Sequence, residues 1–214
     1  MSNLAKQDQN RLRLFKRYGY DIPKARSLIF KKAKISGGKI LEVGTGRGHM
    51  GVALAKNGLK VVSIDLDRKA QKIAKLNLKS LKLDKSVSLK HMDAEKLKYK
   101  DNSFDFVISV NFIHHAKNPV KCLKEMIRVV KNKLIIADLN KRGERVMEKM
   151  ISKKVFSDAV AAIVAQLEYD EAVGKHLEAI SDGYVIFNSG PALFPAVITR
   201  WHWHNSWVAL CLFA

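Results

Sequence analysis

The sequence predicts an α/β chain built on one doubly wound, mostly parallel sheet. Three observations predict it. Short apolar runs of strand length alternate with helical patterns of about 10–15 residues, which is the signature of repeated βαβ units. The run at residues 104–110 is nearly continuous in apolar residues, as in a strand covered on both faces. The chain has 214 residues, of which 47% are hydrophobic, enough for one well-buried domain and against a disordered chain.

Residues 1–38 read as a basic helical segment. Ile22-Pro23 starts a helix with proline in its first turn, Ala25, Leu28, Ile29 and Lys32 follow at helical spacing, and Ser36-Gly37-Gly38 breaks it. Residues 39–43 form a short buried strand that runs into the glycine turn Gly44-Thr45-Gly46-Arg47-Gly48. A helix follows from His49 to Lys56, with Met50, Val52, Ala53 and Leu54 apolar, and Asn57-Gly58 ends it. Residues 59–64 form a second strand, closed by Asp65. Asp67 caps the next helix, where Ala70, Ile73, Ala74, Asn77, Leu78 and Leu81 recur with helical period. Val87 and Leu89 alternate with polar residues over 86–91, a third strand. Asp101-Asn102-Ser103 turns into the fourth strand, 104–110. Asn118-Pro119 starts a helix with Val120, Leu123, Met126, Ile127 and Val130 inward, and residues 133–137 form a fifth strand.

The chemistry gathers at the first strand's end. A glycine turn lets backbone approach a ligand closely, and the helix it opens offers unpaired N–H groups. Dinucleotide-binding turns space their glycines as G-x-G-x-x-G. Here the third such position is His49, and the glycines fall at 44, 46 and 48. Such a turn alone also serves many α/β folds structurally. Asp65 ends the second strand roughly 20 residues on, where a carboxylate takes ribose hydroxyls. Asp67 already supplies the helix cap, which leaves Asp65 free for that role.

On these residues the chain resembles the class I S-adenosylmethionine-dependent methyltransferases over about residues 36–140. Glu42-Val43-Gly44-Thr45-Gly46-Arg47-Gly48 is similar to that family's E-x-G-x-G-x-G motif. The resemblance implies that Val43, Gly44, Thr45, Gly46 and Gly48 pack on the methionine part of S-adenosyl-L-methionine, with Glu42 near its amino group. It implies that Asp65 holds the ribose and Leu66 lies on the adenine face. Asp93-Ala94 match the pair that reads the adenine amino edge. Residues 105–111 resemble the fourth motif, which places Val110 and Asn111 at the cofactor, and Phe112-Ile113-His114-His115 follow. The family often has K-P-G-G before its fifth strand, whereas this chain has Lys131-Asn132-Lys133. The fold implied is a seven-stranded Rossmann-like sheet of order 3-2-1-4-5-7-6 with an antiparallel last strand. The product of the cofactor is S-adenosyl-L-homocysteine.

A sulfonium is already a strong methyl donor, so such a protein mainly aligns the acceptor and excludes water. A base is required only where the acceptor must lose a proton. His114 is the candidate, just past the fourth strand; His115 and His49 rank behind it. Asp138-Leu139-Asn140, past the fifth strand, lie at the same end of the sheet.

The fourth motif here, Val110-Asn111-Phe112-Ile113, lacks the N-P-P-[YFW] of the amino-adenine and glutamine branches. It looks more like the small-molecule, quinone-type branch, so a small-molecule acceptor is favoured. Against this stands a net charge of +19. Residues 1–150 hold 35 Lys and Arg against 14 Asp and Glu, a surplus that could serve a tRNA or rRNA acceptor. Yet Lys69, Lys72, Lys75, Lys79 and Lys82 sit at helix-face spacing, the pattern of a solvated face. A non-catalytic scaffold subunit is a further alternative, opposed by the intact cofactor motifs.

Residues 36–214 read as one methyltransferase domain with a divergent, aromatic-rich part at 151–214. A helix is expected from Arg142 to about Leu167, a short one at 170–180, and strands at 197–204 and 207–213 with Asn205-Ser206 as the turn. The aromatic residues there suit a core, an acceptor pocket or a homodimer contact. His202 and His204 would share one strand face, but a third ligand is lacking, so no metal is expected. Cys122 and Cys211 are too far apart in sequence to suggest a disulfide framework or a zinc site. With no signal-peptide core and no apolar run of membrane-spanning length, a cytoplasmic protein is the expectation.

Overall fold

The computed structural model describes residues 3–17, 21–139, 184–189, 197–203 and 206–212. Two helices precede the sheet, α1 (Asn3–Arg17) and α2 (Ile22–Ala33). The βα alternation then runs β1 (Ile40–Val43), α3 (His49–Lys56), β2 (Val61–Asp65), α4 (Arg68–Ser80), β3 (Val87–His91), β4 (Phe104–Val110), α5 (Pro119–Val129) and β5 (Val130–Leu139). Three more strands follow, β6 (Tyr184–Ser189), β7 (Val197–Trp203) and β8 (Ser206–Leu212). The sheet order is β3-β2-β1-β4-β5-β6-β8-β7.

Local chemistry sets the helix starts. The Asp21, Asp67 and Asn118 side chains accept from backbone N–H groups of the first turns of α2, α4 and α5, satisfying donors no helix can pair internally. Proline stands in the first turn of α2 and α5, where its missing N–H costs nothing. In α2 the inward face is Ile22, Arg26, Ile29 and Ala33, while Leu28 is exposed.

Two apolar layers sandwich the parallel strands. On one face Ile29, Met50, Leu54 and Leu78 of α2, α3 and α4 pack on Ile40, Val61, Ile108 and Ile135. On the other, Leu123, Met126 and Ile127 of α5 pack on Leu41, Val43, Val107 and Ile136. Each fully buried Ile or Leu contributes roughly 1.5–3 kcal/mol. Cys122 belongs to this second layer as a buried free thiol.

The order 3-2-1-4-5 is as expected, but the far side of the sheet differs. Eight strands stand among the described residues rather than seven. The added one is β6, parallel to β5 and lying between it and the β7–β8 hairpin. Its apolar stretch, residues 184–187, is only four residues long and carries no period that separates strand from loop. The antiparallel strand is also not the last. β8 runs parallel to β6, and β7 at the edge is antiparallel to it. The hairpin forces one of its strands to reverse, and the one outside is β7.

A third difference lies where the family often has a glycine turn. α5 ends at Val129 and β5 begins at Val130, three residues earlier than expected. With no glycine to turn the chain, Val130 passes directly into extended backbone at φ −81°, ψ 140°. The expected helices within 142–180 and the residues His204 and Asn205 lie outside the described residues. Among the described residues, no helix is long and apolar enough to cross a membrane.

Candidate active site

Strand register assembles the site. Val43 is level with Ile64 of β2 and with Ser109 of β4, and Val110 is level with Ala137 of β5. One step further, the carboxyl ends of β1, β2, β4 and β5 bring Gly44, Asp65, Asn111 and Asp138 to one edge. Ligands of open α/β sheets bind beyond this edge, where the strand order reverses.

The glycine turn is tied down from β2. The N–H groups of Gly44 and Thr45 both donate to the Ile64 carbonyl, at 3.0 and 2.9 Å. Gly46 N–H donates to Asp65 Oδ2 at 2.7 Å. Asp65 Oδ1 also accepts from Asp67 N–H at 2.8 Å. Asp65 is therefore not free, contrary to the sequence reading: it clamps the turn to the start of α4. Asp67 does supply the α4 cap, accepting from Lys69 and Ala70. A carboxylate has about four lone-pair sites, so Asp65 keeps acceptor capacity for hydroxyl donors.

Beneath the turn lies a buried polar chain. Thr45 Oγ1 and Ser63 Oγ are 2.6 Å apart, and Ser63 donates to Glu42 Oε2 at 2.6 Å. Glu42 is 2% exposed and packs under Gly51 of α3. Burial pushes its carboxyl up to about 7, against the hydrogen bond from Ser63. Ser63 was not singled out from sequence, although a lone serine in the apolar run 61–64 is a visible signal.

Several expected contacts face outward. Leu66 is 56% exposed at the end of β2. Asp93 is exposed past β3, with Oδ1 accepting from Glu95 N–H at 2.9 Å, and Ala94 behind it is buried. Gly46, at φ +50°, has nothing within 4 Å of where a Cβ would stand, so open space lies over the middle of the turn. An open Gly46, an exposed leucine and an outward carboxylate fit a ligand with an adenosine and an amino-acid portion. The open face is the observation that admits S-adenosyl-L-methionine here.

On the β4 side, Val110 is buried and Asn111 adopts φ +53°, a conformation that asparagine tolerates better than most residues. Asn111 N–H donates to the Ala137 carbonyl at 2.7 Å. This kink sends the chain across to Gly44, where a Cβ would lie 2.6 Å from Phe112 Cβ. Gly44 has φ +88°, so it needs glycine on both conformational and contact grounds. We expect Gly44→Ala to weaken S-adenosyl-L-homocysteine binding at least about tenfold by displacing Phe112, read by isothermal titration. Unchanged affinity would remove Gly44 from the site.

Past Phe112, a single turn of tight helix (Ile113–His115) presents two histidines. His114 Nδ1 makes a short hydrogen bond to Asp138 Oδ1, and its backbone N–H approaches Asp138 Oδ2 at 3.4 Å. Both side chains are buried, at 4% and 1% exposed. Asp138 is thus committed to His114 rather than open to an acceptor. The His115 ring lies 3.9 Å from the His114 ring, and burial pulls its pKa below the ordinary value. His49 is not with them. It sits at the start of α3 against α1, 3.5 Å from Asp8. Asp105, which opens the fourth motif, is at the other end of β4 and accepts from Lys39 N–H at 2.7 Å. Among the described residues, no group of three His, Cys, Asp or Glu side chains could hold a metal. Leu139 ends β5, and Asn140, His202 and His204 have no described side-chain position.

Comparison with known proteins agrees with this geometry. Residues 41–137 match a family described as a methyltransferase domain. A methyltransferase of Streptomyces halstedii is 32% identical over 54% of this chain and 43% of its own length. A demethylmenaquinone methyltransferase of Lactobacillus johnsonii is 32% identical over 50% of this chain and 45% of its own length. The chain thus spans under half the length of these curated relatives. A solved structure from Methanococcus maripaludis, assigned as an S-adenosyl-L-methionine-dependent methyltransferase, superposes with a TM-score of 0.54 at 18% identity. That match covers 83% of this chain and 77% of the other, and it shows the fold alone. Residues 41–137 thus combine the strand order 3-2-1-4-5 and a glycine turn with a match to a methyltransferase domain family.

Proposed function

We propose that this chain methylates a small molecule of the quinone type, using S-adenosyl-L-methionine, with His114 as general base and Asp138 as the residue that orients it. One observation carries the reading: the glycine turn after β1 and the His114–Asp138 pair after β4 and β5 share one edge of the sheet. The fourth-motif residues and the demethylmenaquinone relative support the acceptor class.

When bound, the cofactor supplies an electrophilic methyl group. Gly44, Gly46 and Gly48, flanked by Val43 and Thr45, would let backbone approach its methionine part. Glu42 would act from beneath the turn toward the amino group. Asp65 would accept from the ribose hydroxyls with its remaining lone pairs. Leu66 would cover the adenine, and Asp93 with Ala94 would take its amino edge. Val110 and Asn111 would close the site on the β4 side.

With Asp138 accepting the Nδ1 proton, Nε2 of His114 is left as the acceptor. A phenolic hydroxyl could then lose its proton to that nitrogen as the oxygen or its ring carbon attacks. The helix turn that carries His114 is fixed at both ends by backbone hydrogen bonds, from His115 N–H to the Phe112 carbonyl at 2.8 Å and from Ala116 N–H to the Ile113 carbonyl at 3.1 Å. A base so held loses little entropy in reaching the reactive geometry.

Two measurements test this. Isothermal titration should show S-adenosyl-L-homocysteine binding at micromolar concentration, and labelled-methyl transfer should occur to a quinol but not to purified tRNA. No binding would overturn the enzyme reading. Transfer to tRNA alone would overturn the acceptor class.

A further inference from the structure

The methyltransferase match begins at residue 41, yet a side chain far upstream reaches the glycine turn. Asp8, on α1, is fully buried. Its Oδ1 accepts from Arg47 Nη1 at 3.1 Å and lies 3.4 Å from Arg11 Nε. Its Oδ2 accepts from Asn77 Nδ2 at 2.9 Å and lies 3.5 Å from His49 Nε2. Arg47 is the residue between Gly46 and Gly48, and Asn77 is on α4. Asn77 Nδ2 also donates to the Arg47 carbonyl at 3.1 Å, so Asp8 and Asn77 grip the same residue of the turn by side chain and by backbone.

The chemistry around Asp8 is that of a fixed anion. Burial alone would raise its pKa, but the contacts to His49, Asn77 and Arg11 outweigh burial and hold it well below the usual carboxylate range. Arg11 Nη2 lies 3.1 Å from His49 Nε2. Burial pulls the His49 pKa down, against the nearby Asp8 carboxylate, which raises it. Arg11 from its own helix and Arg47 from the turn are the two arginines that answer Asp8.

α1 is otherwise lightly held. Phe15 with Leu12 packs on Ile22 and Ala25 of α2 as a small separate cluster, and Arg11 covers the Phe15 ring at 5.0 Å. Beside it a cavity of about 470 Å³, lined by Asp8, Gln9, Leu12, Ser27, His49 and Val52 among others, separates α1 from α2 and α3. Its strongest tie to the rest of the molecule is the Asp8 network.

We propose that α1 is a latch on the cofactor turn: Asp8 is a positioning residue that holds Arg47, and so Gly46 and Gly48, in the binding conformation. This rests on the reading of the turn as the cofactor site. Coupling is reciprocal, so what α1 does for cofactor affinity the cofactor does for α1 docking.

Asp8→Asn keeps the shape, leaves the Phe15 cluster in place and removes the charge. The expected result is about tenfold weaker S-adenosyl-L-homocysteine binding by isothermal titration, with faster hydrogen exchange at the amides of residues 46–50 in the ligand-free protein. Arg47→Met should give a similar loss, and the double variant should be little worse than either single one, since both cut the same link. S-adenosyl-L-homocysteine should also slow tryptic cleavage after Arg11 and Arg13 in the wild-type protein but not in Asp8→Asn. Unchanged exchange at residues 46–50 together with affinity within twofold would overturn the latch. Additive losses in the double variant would overturn it too. If Asp8→Asn fails to fold, Arg47→Met alone decides, and unchanged exchange at residues 46–50 with affinity within twofold in that variant would overturn the latch. If the wild-type protein binds no S-adenosyl-L-homocysteine while Asp8→Asn still speeds exchange in the turn, the cofactor reading fails and the latch on the turn stands.

Discussion

Asp138→Asn is expected to lower kcat by about 10²- to 10⁴-fold, the range a positioned general base contributes, while leaving S-adenosyl-L-homocysteine affinity within about twofold. The carboxylate of Asp138 accepts from His114 Nδ1 and so selects the tautomer with its lone pair on Nε2. An asparagine amide can donate to Nδ1 instead. The ring would then carry its proton on Nε2 and present a donor where the reaction needs an acceptor. The loss falls on kcat because the pair acts only as the acceptor loses its proton. His114→Asn should give a loss of the same size, and the double variant should be no worse, because the two residues act as a unit. A variant that kept most of kcat would make His114 a structural histidine. A variant that lost cofactor affinity as well would place the pair in binding rather than in proton transfer.

Much of this site was legible because the residues are local in sequence. The glycine turn, Asp65 and the histidines each sit within a few residues of a strand end, and the strand ends follow from apolar periodicity. The parallel order then places them at one edge, since βαβ crossovers keep one hand. What was not legible depends on contacts between distant segments. Asp8 lies in a basic helix that carries no motif, and its burial arises only when α1 meets α3 and α4. Phe112 belongs to the right segment, but its packing on Gly44 follows from the kink at Asn111, a conformation no spacing announces. The sequence leaves Asp65 free, since one capping carboxylate is enough for a helix. The structure uses two, one for the cap and one for the turn. At the far side of the sheet, the four apolar residues at 184–187 were too few to declare β6, and its insertion changed the strand count.

The buried carboxyl of Glu42 carries the second large expectation, a pH dependence of stability with an inverted sign. Its ordinary pKa is 4.5, and burial pushes it up to about 7. Below pH 4.5 the group is protonated in both folded and unfolded chains and contributes no difference. Between 4.5 and 7 the unfolded chain loses the proton and the folded one keeps it. The folded state then binds more protons, so stability falls as pH rises through this window. Above about pH 7 the loss is complete, about 3 kcal/mol at 1.36 kcal/mol for each pKa unit. Glu42→Gln keeps an acceptor for Ser63 and removes the titration. Unfolding by urea at pH 4.5, 5.5, 6.5 and 7.5 should therefore show the variant gaining on the wild-type protein step by step, by about 3 kcal/mol across the series. Asp8 does not confuse the reading, because its window lies lower and its sign is opposite. Its pKa is depressed when folded, so its contribution is present above the ordinary carboxylate value of 3.8 and is lost as pH falls below it. A difference between Glu42→Gln and wild type that stays constant from pH 4.5 to 7.5 would mean that Glu42 is ionised throughout, held so by partners stronger than Ser63. The chain under the turn would then be anchored by a charge rather than by a shared proton.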